Sequence, residues 1–206
     1  MDEQIVAKVA RAVSFMQIIE PLKSATRTAW TQTGRRESVA EHSWRLAMLG
    51  LLVSLQNQHL NGGRLVALCL VHDLAECLTG DVSAAARPDA AQKRAQEYRA
   101  IKELCAPLSA LEREALFSLW QEFEEGTTCE ARMAKALDKA ETILQHQAGK
   151  NPPGFDYAFN LHYGKDYYKD DSYLVALRAA LDAGTRQRAR RESSPCGGRD
   201  GPHKKG

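Results

Sequence analysis

The amino-acid sequence predicts an all-α fold of roughly seven helices. Three observations carry this. Apolar residues recur every three or four positions in successive segments, no segment alternates convincingly as a strand would, and helix punctuation falls between the segments.

The elements follow in order. Ile5, Val9, Val13, Met16 and Ile19 trace one helical stripe, which Pro21 closes. Residues 22–37 lose that period and read as a long loop or broken helix. Ser38-Val39-Ala40-Glu41 has the S-x-x-E form of a capping box, in which serine and glutamate satisfy free N–H groups of the first turn. The apolar segment it opens runs to about Leu55 and puts His42 in that first turn. Asn61-Gly62-Gly63 breaks the chain, and Arg64 to Leu78 reads as a short, strongly apolar helix ending at Gly80. Residues 89–105 and 109–125 form two amphipathic segments separated near Pro107, and Glu130 to Gln147 forms another, stopped by Gly149 and Asn151-Pro152-Pro153. An aromatic stretch follows (Phe155, Tyr157, Phe159, Tyr163, Tyr167, Tyr168). Its first use is packing of the closing helices or a subunit interface, its second the stacking of a nucleobase. A last helix is expected from about Ser172 to Ala183. The reading divides the chain into a domain over 1–185 and a basic, disordered tail over 186–206, where apolar residues are scarce and Gly, Ser and Arg abound.

Composition excludes several classes of function. The 206 residues suffice for a full core without staples. From Arg186 onward there are seven Lys/Arg against two Asp/Glu, a local +5. With +2 overall, residues 1–185 stand near −3, so the body is no basic nucleic-acid binder. The longest apolar run, Leu46 to Leu55, is too short to span a bilayer. Asp2, Glu3, Lys8 and Arg11 interrupt what would be the apolar core of a signal peptide. Five scattered cysteines without a C-x-x-C pair argue against a disulfide framework or zinc knuckle. The expected location is the cytoplasm.

The chemistry concentrates at His72-Asp73-Leu74-Ala75-Glu76, inside an apolar helix. Glu76 lies four residues after His72 and three after Asp73, so one continuous helix places all three on one face. Burying two carboxylates there is costly unless a cation compensates them. Asp81, just past Gly80, can fold back toward that face. His72 and Asp73 alone do not fill a coordination sphere. His42 in its capped turn and Asp138 in Ala134-Lys135-Ala136-Leu137-Asp138 are further candidates. Singly, each has a plainer reading, a capping histidine or a solvated aspartate. Together, two imidazoles and two carboxylates make a mixed nitrogen and oxygen site that suits one manganese, cobalt, iron or nickel ion, tolerates magnesium, and is less typical of structural zinc.

The pieces LKSATRTAW (22–30), ESVAEHSWRLA (37–47), LVHDLAECLTGDV (70–82) and ALDKAETIL (136–144), in that order, resemble the HD-domain superfamily, and more closely its 5′-deoxynucleotidase branch. The resemblance implies an HD-type helical bundle with His42, His72, Asp73 and Asp138 as ligands of one divalent metal. It also implies Glu76 and Asp81 as the catalytic acids, their two proton-transfer roles interchangeable, and Arg27 as the arginine on the substrate phosphate, with Arg35 and Arg36 as competitors. The implied reaction is hydrolysis of 2′-deoxyribonucleoside 5′-monophosphates to deoxynucleoside and phosphate, by a homodimer without nucleic-acid or membrane partners. Two other readings stand beside it. One is a different HD chemistry, either nucleotide phosphodiester hydrolysis or di-iron oxygenation, both of which commonly need a second metal and more histidines than His59, His146, His162 and His203 supply in any recognisable spacing. The other is a helical binding protein that keeps the fold without activity.

Overall fold

The computed structural model describes residues 2–82, 86 and 89–193. Its elements, in order, are α1 (Glu3–Ile18), a 3₁₀ turn (Glu20–Lys23), β1 (Thr26–Trp30), β2 (Arg36–Ser38), α2 (Val39–Gln56), α3 (Gly62–Val71) and α4 (Glu76–Thr79). There follow α5 (Ala90–Leu104), α6 (Ala110–Glu125), α7 (Cys129–Ala148), 3₁₀ turns at Tyr157–Leu161 and Lys165–Tyr168, and α8 (Ser172–Ser193). The architecture is all-α, as expected, with eight α-helices among the described residues.

Helix α7 is the axis of the bundle. Twelve of its 20 residues are buried, so it faces neighbours on nearly every side. Ala131, Ala134, Ala136 and Ala140 let α2, α3, α6 and α8 approach closely, and Leu137 and Ile143 interlock with Leu46, Val53, Leu65 and Leu68. A second cluster joins α4, α5 and α6 through Leu74, Ile101, Leu104 and Trp120, with Phe15, Ile18 and Leu22 packed against it. The Ser38–Glu41 capping box is present and fixes where α2 begins.

The structure departs from the sequence reading in four places. Residues 26–30 and 36–38 are strands, antiparallel with Thr26 opposite Ser38 and Trp30 opposite Arg36. The alternation was there in Thr26–Trp30, where Arg27 and Ala29 point inward, but five residues with an inward arginine do not look like a hydrophobic strand. Second, the helix expected over 64–78 is two helices, α3 and α4. At His72–Ala75 the backbone tightens, with Leu74 N–H on the Val71 carbonyl and Glu76 N–H on the Asp73 carbonyl. In such a turn residues i and i+3 eclipse, which sets Asp73 and Glu76 one above the other. Third, α8 does not stop near Ala183 but runs to Ser193. Thr185 is buried, and Arg188 donates to the Tyr157 hydroxyl at 3.1 Å and to the Gly149 carbonyl at 3.1 Å. These polar anchors prolong a helix whose apolar pattern has ended. The remainder of the basic tail, 194–206, lies outside the described residues. Fourth, the stripe of α1 meets little of the bundle: Ile5, Val9, Val13 and Met16 are all more than half exposed. Among the described residues no helix is long and apolar enough to cross a membrane.

Candidate metal centre

Four elements bring the predicted ligands together. His42 comes from the first turn of α2, His72 from the end of α3, Asp73 from the tight turn after it, and Asp138 from the middle of α7. One ligand atom from each of His42, His72 and Asp73 falls within a 4.8 Å group. Asp138 Oδ1 stands 3.2 Å from His42 Nε2 and 3.9 Å from His72 Nε2, and Asp73 Oδ2 stands 3.0 Å from His72 Nε2 and 3.8 Å from His42 Nε2.

Both imidazoles are oriented from behind. His42 Nδ1 donates to Glu141 Oε2 at 2.5 Å, and His72 Nδ1 donates to the Cys69 carbonyl at 2.9 Å. Each Nε2 is left buried without a hydrogen-bond partner, facing the two carboxylates. A buried ring nitrogen left without a partner is costly in a protein interior, and a divalent cation bound to its lone pair would satisfy it. The residues present therefore fit a metal of the nitrogen and oxygen class. Burial and Arg27 oppose an imidazolium at His42, but Asp138 and Glu141 outweigh them and lift its pKa to about 9. Ligation has to displace that proton. Burial likewise opposes the charged forms of Asp73 and Asp138. The histidines, with Lys139 beside Asp138, hold both carboxyls well below their usual range.

Glu76 opens α4, is 3% exposed, and has one carboxylate oxygen without a partner. Burial and the charges of Asp73 and Asp81 push its pKa up to about 10. A bound cation would counter the Asp73 contribution. Asp81 follows Gly80, whose φ of 70° and ψ of 162° turn the chain back into the site. No atom comes within 4 Å of a Cβ built there, so conformation rather than space demands glycine. Burial raises the Asp81 carboxyl, against Arg27, Lys93 and a hydrogen bond from the Thr28 backbone.

Arg27 points inward from β1. It donates to Glu37 Oε2 and to Thr142 Oγ1, both at 3.0 Å, and its Nη1 lies 3.7 Å from Glu141. Arg35 instead pairs with Glu41 at the surface, and Arg36 Nε donates to the Arg27 carbonyl. Of the three arginines only Arg27 lines the pocket that contains Asp73, Glu76, Asp81 and Asp138, a cleft of about 400 Å³. Lys93, Lys139, Thr28, Thr142, Phe159 and Tyr163 also face it.

Several of these groups escaped sequence reasoning. Glu141 follows Asp138 by one helical turn, and that spacing was the available signal. Glu37 sits beside a capping box and carried none. Lys139 looked like a solvated helix lysine, yet it reaches Asp138 Oδ2 at 2.7 Å. No third histidine joins the candidate ligands among the described residues. His59 and His162 are exposed, and His146 is bound to Asn160 Oδ1 and faces the Thr28 carbonyl. A second acidic group, Glu37–His42–Glu141, is paired with Arg27 and Arg45, which supply the positive charge a second metal would bring.

Comparison with known proteins follows the same lines. The profile described as HD domain matches residues 19–176. The bovine protein named 5′-deoxynucleotidase HDDC2 is 35% identical over 147 residues, covering 69% of this chain and 71% of that protein. Its human counterpart is 36% identical over 135 residues, covering 65% of each, and that of Xenopus laevis is 32% identical over 170, covering 80% and 84%. A crystal structure described as a predicted metal-dependent phosphohydrolase from Magnetospirillum magnetotacticum MS-1 superposes with a TM-score of 0.74 at 28% identity, covering 90% of this chain and 97% of that one.

Proposed function

The chain belongs to the HD-domain family, and from that premise we propose that it is a metal-dependent phosphomonoesterase that hydrolyses 2′-deoxyribonucleoside 5′-monophosphates to deoxynucleoside and phosphate. The observation that carries the reading is the pair of buried, partnerless Nε2 atoms of His42 and His72, facing Asp73 and Asp138 beside a nucleotide-sized pocket. His42, His72, Asp73 and Asp138 would hold one divalent ion, of manganese, cobalt, iron or nickel in preference to magnesium or zinc. When bound, that ion would supply positive charge to a phosphoryl oxygen and acidify water near neutrality.

The chain's own residues do the rest. Arg27, fixed by Glu37 and Thr142, offers its guanidinium edge to the phosphate. Lys93 and Lys139 add positive charge to the same pocket. Glu76 and Asp81 divide the two proton transfers, in either assignment: one takes the proton of the attacking water as the new P–O bond forms, and the other passes a proton to the 5′-oxygen as the old P–O bond breaks. The site as read holds one metal, which argues against the phosphodiesterase alternative. The presence of both acids argues against an inactive scaffold.

The proposed homodimer is supported by apolar residues left bare along α2 (Trp44, Met48, Leu51, Leu52, Leu55) in addition to those of α1. Free thiols at Cys69, Cys77, Cys105 and Cys129 support a reducing, cytoplasmic setting. The deciding experiment is phosphate release from deoxy- and ribonucleoside monophosphates by protein reconstituted with each metal in turn. Turnover of deoxynucleotides that requires metal is expected. Absence of turnover with every metal would overturn the reading.

A further inference from the structure

Five of the six rings in the aromatic stretch at 155–168 fall into two populations, and the sixth, Tyr167, is exposed. Phe155 packs edge-on against Trp30 and His146, with ring centroids at 5.9 and 4.8 Å. Tyr157 is buried, and its hydroxyl accepts from Asn151 and Arg188. Tyr168 is buried, with its hydroxyl donated to the Ala136 carbonyl at 2.8 Å. These three close the bundle over α7. Phe159 and Tyr163 do something else: they are half-buried, stack on each other at 5.1 Å with planes 26° apart, and line the same pocket as the ligand carboxylates.

We propose that Phe159 and Tyr163 form a stacking platform for the nucleobase. This rests on the phosphomonoesterase reading above and names which part of the pocket receives the non-reacting end of the substrate. Phosphate and base of a nucleotide are joined through one sugar, and the pocket offers both charged and apolar lining. Asp73, Asp138, Glu76, Asp81 and Arg27 occupy its charged part, and Val82, Phe159 and Tyr163 supply apolar surface.

The platform is also tied to the metal ligands. Lys139 Nζ pairs with Asp138 Oδ2 at 2.7 Å and lies 5.5 Å from the centre of the Tyr163 ring. Those two distances put the ring centre within about 8 Å of the Asp138 carboxylate. Gly164, with φ of 62°, presses on the lysine stem. A Cβ there would fall 2.6 Å from Lys139 Cγ, so the turn carrying Tyr163 sits directly on that side chain.

Stacking is favoured over edge recognition because the neighbouring polar groups are already engaged. His146 uses Nδ1 on Asn160 and turns Nε2 to the Thr28 carbonyl. The Thr142 hydroxyl accepts from Arg27 and donates to the Asp138 carbonyl. Lys139 is committed to Asp138. With those edge-reading groups occupied, recognition falls to the π face, which every base possesses.

The test compares kcat/KM for the four deoxynucleoside monophosphates with that for 2-deoxyribose 5-phosphate, which lacks a base. It uses the metal-loaded full chain and its Phe159→Ala, Phe159→Leu and Phe159→Trp forms. Leucine keeps volume without the π system, which covers the case in which alanine impairs folding. The native chain should favour nucleotides over the baseless phosphate. Phe159→Leu should shrink the nucleotide preference by roughly 5- to 100-fold, the range of one base–aromatic stack, mostly through KM, and Phe159→Trp should restore it. Equal losses on both substrates, or an unchanged preference, would overturn the platform. If the native chain hydrolyses neither, the phosphomonoesterase reading fails by itself. Calorimetric binding of deoxyadenosine monophosphate to native and Phe159→Leu protein then decides the platform, which equal affinity or no binding would overturn.

Discussion

Replacing Glu141 with Gln should weaken metal binding while leaving every proposed ligand in place. In the native chain Glu141 is 1% exposed. It takes the Nδ1 proton of His42 at 2.5 Å on one oxygen and pairs with Arg45 at 2.8 Å on the other. The ion pair fixes the carboxylate, the carboxylate fixes the imidazole, and the Nε2 lone pair is thereby aimed at Asp138 and Asp73. Glutamine retains the shape and an accepting carbonyl but loses the charge that makes His42 a stronger donor to a cation. It also leaves Arg45 and Arg27 short of one counter-charge. Loss of a carboxylate behind a metal-bound histidine costs about 10- to 100-fold in affinity, or ~1.4–2.7 kcal/mol. Titration calorimetry with manganese on chelator-stripped protein reads this directly, and thermal unfolding of the metal-free form controls for damage to the fold. Arg45→Met provides the contrast, because Arg45 touches Glu141 but not His42. It should cost less than about threefold. Metal affinity of Glu141→Gln within twofold of native, in a protein where His72→Ala loses the metal, would refute the orienting role.

Four further outcomes are expected. Asp138→Ala should abolish both metal retention and turnover, and a full equivalent of metal in that variant, measured by atomic emission, would remove Asp138 from the ligand set. Glu76→Gln should keep its metal and lose about 10²–10⁴-fold in kcat, the usual contribution of acid–base assistance; near-native turnover at saturating metal would exclude it from proton transfer. Arg27→Ala should reduce kcat/KM by the equivalent of ~1.5–3 kcal/mol for a charge-assisted hydrogen bond, and unchanged kinetics would return attention to Lys93 and Lys139. Truncation after Ser193 should leave the melting temperature in place. Truncation after Thr185 removes the two Arg188 hydrogen bonds and should lower it by about 3–8 °C, which differential scanning calorimetry can decide.

Much of this was determined by the sequence alone. Helix periodicity and the Ser38 capping box are local properties, so α1, α2, α5, α6 and α7 were legible within a few residues of their ends. His72 and Asp73 were legible because burying a histidine and a carboxylate in an apolar helix demands a compensating charge, which is a statement about residue type, and His42 and Asp138 joined them in the ligand set through the resemblance to the HD-domain superfamily. What tertiary structure alone decided is everything that depends on partners distant in the chain. Glu141 and Lys139 resemble surface residues until α2 brings His42 against the one and the 163–164 turn brings a ring and a glycine against the other. In the strands at 26–30 and 36–38, the inward arginine finds Thr142 and Glu141 on α7, partners that no local propensity encodes. The break after His72 follows the same logic: an unbroken helix is the better local solution, but the tightened turn eclipses Asp73 with Glu76 and aims both into one pocket. Likewise α8 outlasts its apolar pattern because Arg188 finds Tyr157 and Gly149, 31 and 39 residues away, to hold it down.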